Sequence, residues 1–336
     1  MDIIRSWRDT PPDLKGAVLA IGNFDGVHRG HQAVLNEAKR ISGAEGRRAG
    51  AVIFEPHPRE FFAPDRPFFR LTPLPVKLEL LEALGLDQTF VLTFDRGLSS
   101  LSANDFVTEA IGKGFGASHV VVGYDFTYGK GRTGSVEQLE GLGKDIGYGV
   151  DVVSPVTLEG GVTFSSSTIR EHLRLGEVRL AAEQLGYWWR ARGRVGKGAG
   201  RGKGLGFPTL NFKLAPGQDV CHGIYAMRVH HGGERHHAAG YVGPRPTFGP
   251  DEPVLEAYLL DFSGDLYGHE VEVEFIDFLR PDHTFESAEA LAAQMAEDCK
   301  QVREILVAVD ADDPMRRFTL GNALADRALD CGKAGC

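Results

Sequence analysis

The chain has 336 residues, 42% hydrophobic and 25% charged, which is the balance of an ordinary soluble globular protein with room for about two cores. A net charge of −9 excludes a general binder of nucleic acid or anionic membrane, since either needs a basic face. The polar, proline-containing start, the lack of any apolar run near ~18 residues, and four cysteines without Cys-x-x-Cys spacing predict a cytoplasmic protein with no membrane span.

From Ala17 to about Gly186, short apolar runs alternate with amphipathic stretches. The runs Ala17–Ile21, Ala51–Phe54, Gln88–Leu92, His119–Val122 and Val150–Val153 read as strands; Pro75–Leu84 and Ala103–Ile111 read as helices. Such alternation predicts βαβ units on a doubly wound parallel sheet, whose ligands bind at the carboxyl ends of the strands.

Behind the first run stands "GNFDGVHRGHQ", then a segment of helical spacing. Gly22, Asn23, Phe24 and Asp25 form a turn whose backbone can approach a ligand closely. His28 and His31 are expected at the start of the following helix, where residues three apart share a face. Free amides and the helix dipole favour an anion there, and two imidazoles add donors for phosphate. Half of a metal site, or two plain surface histidines, are the alternatives.

After the second run, "FEPHPREFF" sets Phe54, His57 and Arg59 on a loop at the same sheet edge. "GKGRTG" (129–134) matches G-x-G-x-x-G, but "GYDFTY" separates it from the strand, which argues against a dinucleotide fingerprint. In "FSSSTIR", Ser165, Ser166 and Ser167 exceed what one helix cap requires, and with Arg170 they suggest a second phosphate cradle.

From about Trp188 the runs become short and turn-punctuated: Arg192–Val195, Gly223–Val229, Ala238–Val242, Leu255–Phe262 and Glu270–Leu279. They predict an antiparallel β-barrel, followed by a helix over Ser287–Val309 and a frayed polar tail. "HHGGERHH" reads as a solvated hairpin loop. The glycine-rich basic loop of "GKGAGRGKGLGFPTLNF" contains Gly198, Gly202, Lys203, Gly206 and Pro208. Thr209 and Asn211 then share one face of an extended segment, where a hydroxyl and an amide carbonyl can hold Mg²⁺ bridged to phosphates.

The series "GNFDGVHRGH", "PHPR", "GYDFTYGKGR", "SSSTIR" resembles the adenylyltransferase domain of the bacterial bifunctional riboflavin kinase/FAD synthetases. "GRGKGLGFPTLNF", "GIYA", "RPTF", "LEAYLLDF", "DLYG" and "FESAEALAAQM" resemble their kinase domain. The match runs from about Ala17 to Val309 in family order. Where the kinase motif often reads Glu-x-His, this chain has Glu256-Ala257-Tyr258.

The resemblance implies a Rossmann-like nucleotidyltransferase domain at 1–186 and a riboflavin kinase barrel with a terminal helix at 187–310; the stretch 311–336 matches nothing in the family and reads from its composition as a flexible tail. It implies that riboflavin is phosphorylated by ATP to FMN, and FMN adenylylated by ATP to FAD with release of pyrophosphate. Glu256 becomes the base for the ribityl hydroxyl, with Mg²⁺ held by Thr209 and Asn211. Arg280 and Phe285 fall in the flavin-covering flap. His28, His31 and Arg170 would stabilise charge in adenylyl transfer, and Asp125, Phe126 and His57 would contact nucleotide or flavin. Small molecules are the expected partners, with self-association left open.

Overall fold

The computed structural model describes residues 1–157, 163–196, 209–245 and 249–331, and the chain divides into two compact units, Met1–Ser166 and Ser167–Cys336. In the first, β1 (Asp2–Ile4), β2 (Val18–Ile21), β3 (Ala49–Glu55), β4 (Gln88–Thr93), β5 (His119–Gly123) and β6 (Gly149–Val153) form one sheet. All neighbours pair in parallel, in the order β1-β4-β3-β2-β5-β6. Every residue of β2 is buried, because a central parallel strand is covered on both faces; that is why it reads as an unbroken apolar run. The short edge strand β1 escaped the sequence, since only Ile4 of its three residues is buried.

The chain builds outward from β2 through β3 to β4, then returns to lay β5 on the other side of β2. That reversal opens a crevice at the carboxyl ends of β2 and β5. Helix α1 (Arg29–Glu45) leaves β2 through this crevice, buries Val34, Leu35, Ala38 and Ile41, and ends at Gly46 in the left-handed region (φ 63°). Short helices α2 (Pro58–Phe62), α3 (Leu74–Ala83) and α4 (Arg96–Ser99) follow. Next come α5 (Ala103–Asp105), running into a π-helical stretch Phe106–Phe115, and α6 (Val136–Ile146).

In the second unit, helices α7 (Ser166–Arg174) and α8 (Val178–Leu185) precede the strands. The sequence places both helices in the first domain, yet Ala182 of α8 packs with Ala226, Ile276 and Leu306 of the second core. The strands are β7 (Arg190–Arg194), β8 (Thr209–Lys213), β9 (Gly223–His231), β10 (Glu234–Arg245), β11 (Gly249–Leu259) and β12 (Glu270–Arg280). They pair antiparallel in the order β7-β12-β9-β10-β11-β8. A bridge between Gly196 and Asn211 joins the two ends, so the barrel is nearly closed. Helix α9 (Ala288–Ala311) buries Val302 and Leu306 against it.

Two expectations about this unit are corrected. The histidines of "HHGGERHH" belong to β9 and β10, and only Gly232 and Gly233, at φ 57° and 80°, form the turn. Residues 311–331 are not a frayed tail: a 3-10 turn Pro314–Arg317 and α10 (Thr319–Cys331) follow α9, with Met315 and Leu320 buried. Asp313 anchors this segment, accepting from Arg228 Nη1 (2.7 Å), Trp188 Nε1 (3.0 Å) and Met315 N (3.0 Å). Arg228 and Trp188 are remote in sequence, so a locally polar composition looked like a tail.

Candidate active sites

The turn after β2 is held from several sides. Phe24 and Val27 adopt left-handed φ values of 47° and 40°, a conformation that side-chain-bearing residues keep only when surrounding structure imposes it. The Asp25 carboxylate accepts from Leu71 N (3.2 Å), Thr72 N (3.1 Å) and Thr72 Oγ1 (3.3 Å), and Gly26 N donates to Thr72 Oγ1 (2.9 Å). Asp25 was expected to face a ligand; instead it is turned inward at 2% exposure and clamps the turn. Lys77 Nζ donates to Asn23 O at 2.7 Å from the other side. The side-chain carbonyl of Asn23 is buried with no partner among the described residues.

His28 lies just outside the helix rather than on its face. It is the N-cap of α1, in extended conformation, and its Nδ1 accepts from His31 N at 3.3 Å. The two rings nevertheless converge, stacked with centroids 3.6 Å apart and planes 19° apart, while Phe24 meets His31 edge-on at 5.4 Å. Because Nδ1 of His28 takes an N–H, the proton of its neutral ring sits on Nε2, which is therefore a donor. His57 repeats the device: it caps α2, its Nδ1 accepts from Arg59 N (3.1 Å), and its own N–H donates to Glu60 Oε2 (3.1 Å).

Beside His57 the sheet edge carries aromatic rings. Phe54, Phe61 and Phe62 each meet Phe94 edge-to-face at 5.9, 5.3 and 5.8 Å, and Phe62 is 69% exposed. After β5, Asp125 is exposed and Phe126 stacks on Tyr128 at 5.6 Å. Ser166 Oγ donates to Asp25 O (2.8 Å), tying the serine-rich segment to the turn after β2. Ser165 is half-buried beside it, Ser167 is exposed, and Arg170 is buried on α7 within the second unit. The loops after β2, β3, β5 and β6 thus meet at one sheet edge.

In the second unit β8 pairs with β11 so that Asn211 faces Glu256 and Thr209 faces Tyr258; Tyr241 of β10 lies opposite Glu256 on the other side. Paired positions of neighbouring strands share a face, so Thr209, Asn211, Glu256 and Tyr241 project from the same side. Asn211 is buried, its Nδ2 donates to Thr209 O at 3.1 Å, and its Oδ1 has no partner among the described residues. A buried carbonyl with unused lone pairs beside a hydroxyl suits a hard cation such as Mg²⁺. Gly198, Gly202, Lys203, Gly206 and Pro208 lie outside the described residues. Arg280, expected at the flavin flap, reaches Asp298 of α9 with Nε (2.9 Å) and Nη2 (2.6 Å), and His283 Nδ1 with Nη1 (2.9 Å).

Comparison with known proteins finds a family match in each half of the chain. The family model for FAD synthetase matches residues 10–168, and that for riboflavin kinase matches residues 185–306. The bifunctional riboflavin kinase/FMN adenylyltransferase of Pseudomonas fluorescens is 36% identical over 306 residues, covering 91% of this chain and 98% of the relative. This chain belongs to the bifunctional riboflavin kinase/FMN adenylyltransferase family. The protein of the same description from Escherichia coli K12 is 38% identical over 292 residues, 86% of this chain and 93% of its own. A solved structure described as a macrolide-efflux protein from Streptococcus pneumoniae aligns with a TM-score of 0.80 at 28% identity, covering 90% of this chain and 98% of that one. Among the described residues no helix is long and apolar enough to cross a membrane.

Membership makes this a flavin-cofactor-synthesising transferase, with adenylyltransferase and kinase activities in the two matched regions. Several residues beside these candidate sites were not singled out in the sequence. Lys77 and Thr72 sit on a helix and loop with no motif of their own, and Phe62 and Phe94 look like ordinary core aromatics. The exposed ring of Phe62 could be recognised only once Phe94 was seen to lie at the same edge.

Proposed function

We propose that the turn after β2 and the start of α1 bind the phosphates of ATP and FMN for adenylyl transfer, and that the β8–β11 face performs phosphoryl transfer to riboflavin. In the first reaction an oxygen of the FMN phosphate attacks the α-phosphorus of ATP, and the bond to pyrophosphate breaks. FMN supplies an anionic nucleophile, so no protein nucleophile is needed. His28, donating through Nε2, and His31 stabilise charge growing on the phosphate oxygens. Asn23 and the serines orient phosphate or ribose, and Phe62 offers a planar ring system a surface to stack on.

In the second reaction Glu256 accepts the proton of the ribityl 5′-hydroxyl as its oxygen bonds to the γ-phosphorus of ATP, and ADP leaves. Thr209 and Asn211 would hold Mg²⁺, which offsets the phosphate charge. The side-chain carbonyl of Asn211, without a partner among the described residues and paired in register with Glu256, supports this assignment. A cytoplasmic setting with ATP, riboflavin and FMN as partners completes the reading.

The observation that carries it is the stacked His28–His31 pair at the mouth of α1, in the crevice where the strand order reverses. The test is chromatographic: the protein with riboflavin, ATP and Mg²⁺, followed over time. FMN appearing first and FAD after it is the expected result; FMN that never becomes FAD refutes the role of the β2–α1 turn.

A further inference from the structure

We propose that Lys77 is a positioning residue for adenylyl transfer, holding by its hydrogen bond to Asn23 O the turn that presents His28 and His31. The inference rests on the reading of that turn as the phosphate site.

Lys77 lies on α3 among the buried residues Val76, Leu80 and Leu81, and is itself 1% exposed. A methionine would fill that space without removing an ammonium from water, so a lysine here is a costly choice for packing alone. Burial pushes its ammonium below the usual 10.5, against the attraction of Asp25 and, more weakly, Glu55 and Glu60; Arg70 opposes it. These carboxylates are already engaged: Asp25 by Leu71 and Thr72, Glu55 and Glu60 by Arg70. The hydrogen bond goes instead to a backbone carbonyl, that of Asn23 at 2.7 Å.

The recipient matters. Asn23 immediately precedes left-handed Phe24, and Val27 N returns to Phe24 O at 3.1 Å before His28 caps α1. Any shift of the Asn23 carbonyl is carried within five residues to the imidazole pair. Thr72 and Asp25 secure the middle of the turn, and Lys77 secures its entry. Lys77 acts through the turn and touches no substrate in this scheme.

The test uses the full chain, with FAD and FMN formation measured separately for Lys77→Met, Lys77→Gln and His31→Ala. Misplacement of the reacting groups by about 1 Å costs on the order of 10²-fold, so Lys77→Met should lower kcat for FAD formation by roughly 10–100-fold. The KM values for ATP and FMN should change much less, and riboflavin phosphorylation should keep its rate. Lys77→Gln, which can still donate to Asn23 O without a charge, should recover most of the loss.

Wild-type FAD formation by Lys77→Met overturns the proposal, as does a folded Lys77→Gln as slow as Lys77→Met, which would assign the effect to charge. If Lys77→Met does not fold, Lys77→Gln decides alone, a folded but slow variant being the overturning result. Should His31→Ala keep full FAD formation, it is the phosphate-site reading that fails; should His31→Ala lose it while Lys77→Met does not, only the role of Lys77 fails.

Discussion

Asp313→Ala should destabilise the second unit more than any neighbouring acidic substitution. The carboxylate, 9% exposed, holds Arg228, 2% exposed, at 2.7 Å, and also accepts from Trp188 Nε1 and Met315 N. Removing one side of a buried ion pair costs about 3–5 kcal/mol. Arg228 keeps Asp310 at 2.6 Å and has Glu274 at 3.7 Å, so its own share falls toward the lower end of that range. An unsatisfied indole N–H adds about 1–3 kcal/mol, and the lost cap of the 3-10 turn about 1 kcal/mol. Water entering the gap offsets part of the sum, leaving a net loss of about 3–4 kcal/mol. For a unit of this size each kcal/mol moves the midpoint by about 2–4 °C, so calorimetry should show a Tm lower by about 10 °C. Asp312→Ala, at an exposed position one residue earlier, should change stability by less than about 0.5 kcal/mol. Equal melting of the Asp313→Ala variant and the parent would refute the anchoring of residues 313–331 to the barrel.

Four further outcomes are expected. His31→Ala should slow FAD formation by about 10²–10³-fold, the range for a lost charge-stabilising donor, with FMN formation intact; loss of both activities in parallel would contradict two separate sites. Glu256→Gln should do the converse, slowing FMN formation by roughly 10²–10⁴-fold if the carboxylate is the general base, measured with riboflavin and ATP in single-turnover assays. His28→Asn can still cap α1 and should melt near wild type, whereas His28→Ala should lose about 1 kcal/mol; both should fail to make FAD, so equal melting of the two would remove the capping role. Burial pushes the Glu274 carboxyl up, but His230, Arg190 and Arg228 hold it well below the usual 4.5. With the folded value depressed, this stabilisation is complete above about pH 4.5 and is lost as pH falls further. Denaturant titrations should therefore show a steep acid limb that Glu274→Gln flattens, while lowering stability at neutral pH; an unchanged acid limb would exclude Glu274 as its source.

The order of elements was legible because it depends on local regularities. β2 is four consecutive buried residues and α1 a periodic apolar stripe closed by Gly46, and both patterns survive in a single sequence. Family membership bore out both activities that the motif series suggested. Thr209 and Asn211 were correctly set on one face, since alternation along a strand is exact in the backbone itself.

What local pattern could not show is how a residue spends its polar atoms. Asp25 looked like a ligand contact and is a clamp on Thr72; His28 looked like a helical residue and is a cap; Arg280 looked like part of a flap and is paired with Asp298. Each outcome was decided by a partner remote in sequence or by one backbone dihedral, and neither leaves a mark on composition. The stretch after Asp310 illustrates the point most plainly. Beyond its buried Met315 and Leu320, it is held because Arg228 and Trp188, far earlier in the chain, donate to the carboxylate of Asp313. Local pattern thus gave the order of most elements, whereas tertiary contacts settled which polar side chains are tied up within the fold, because buried donors and charges must first be satisfied.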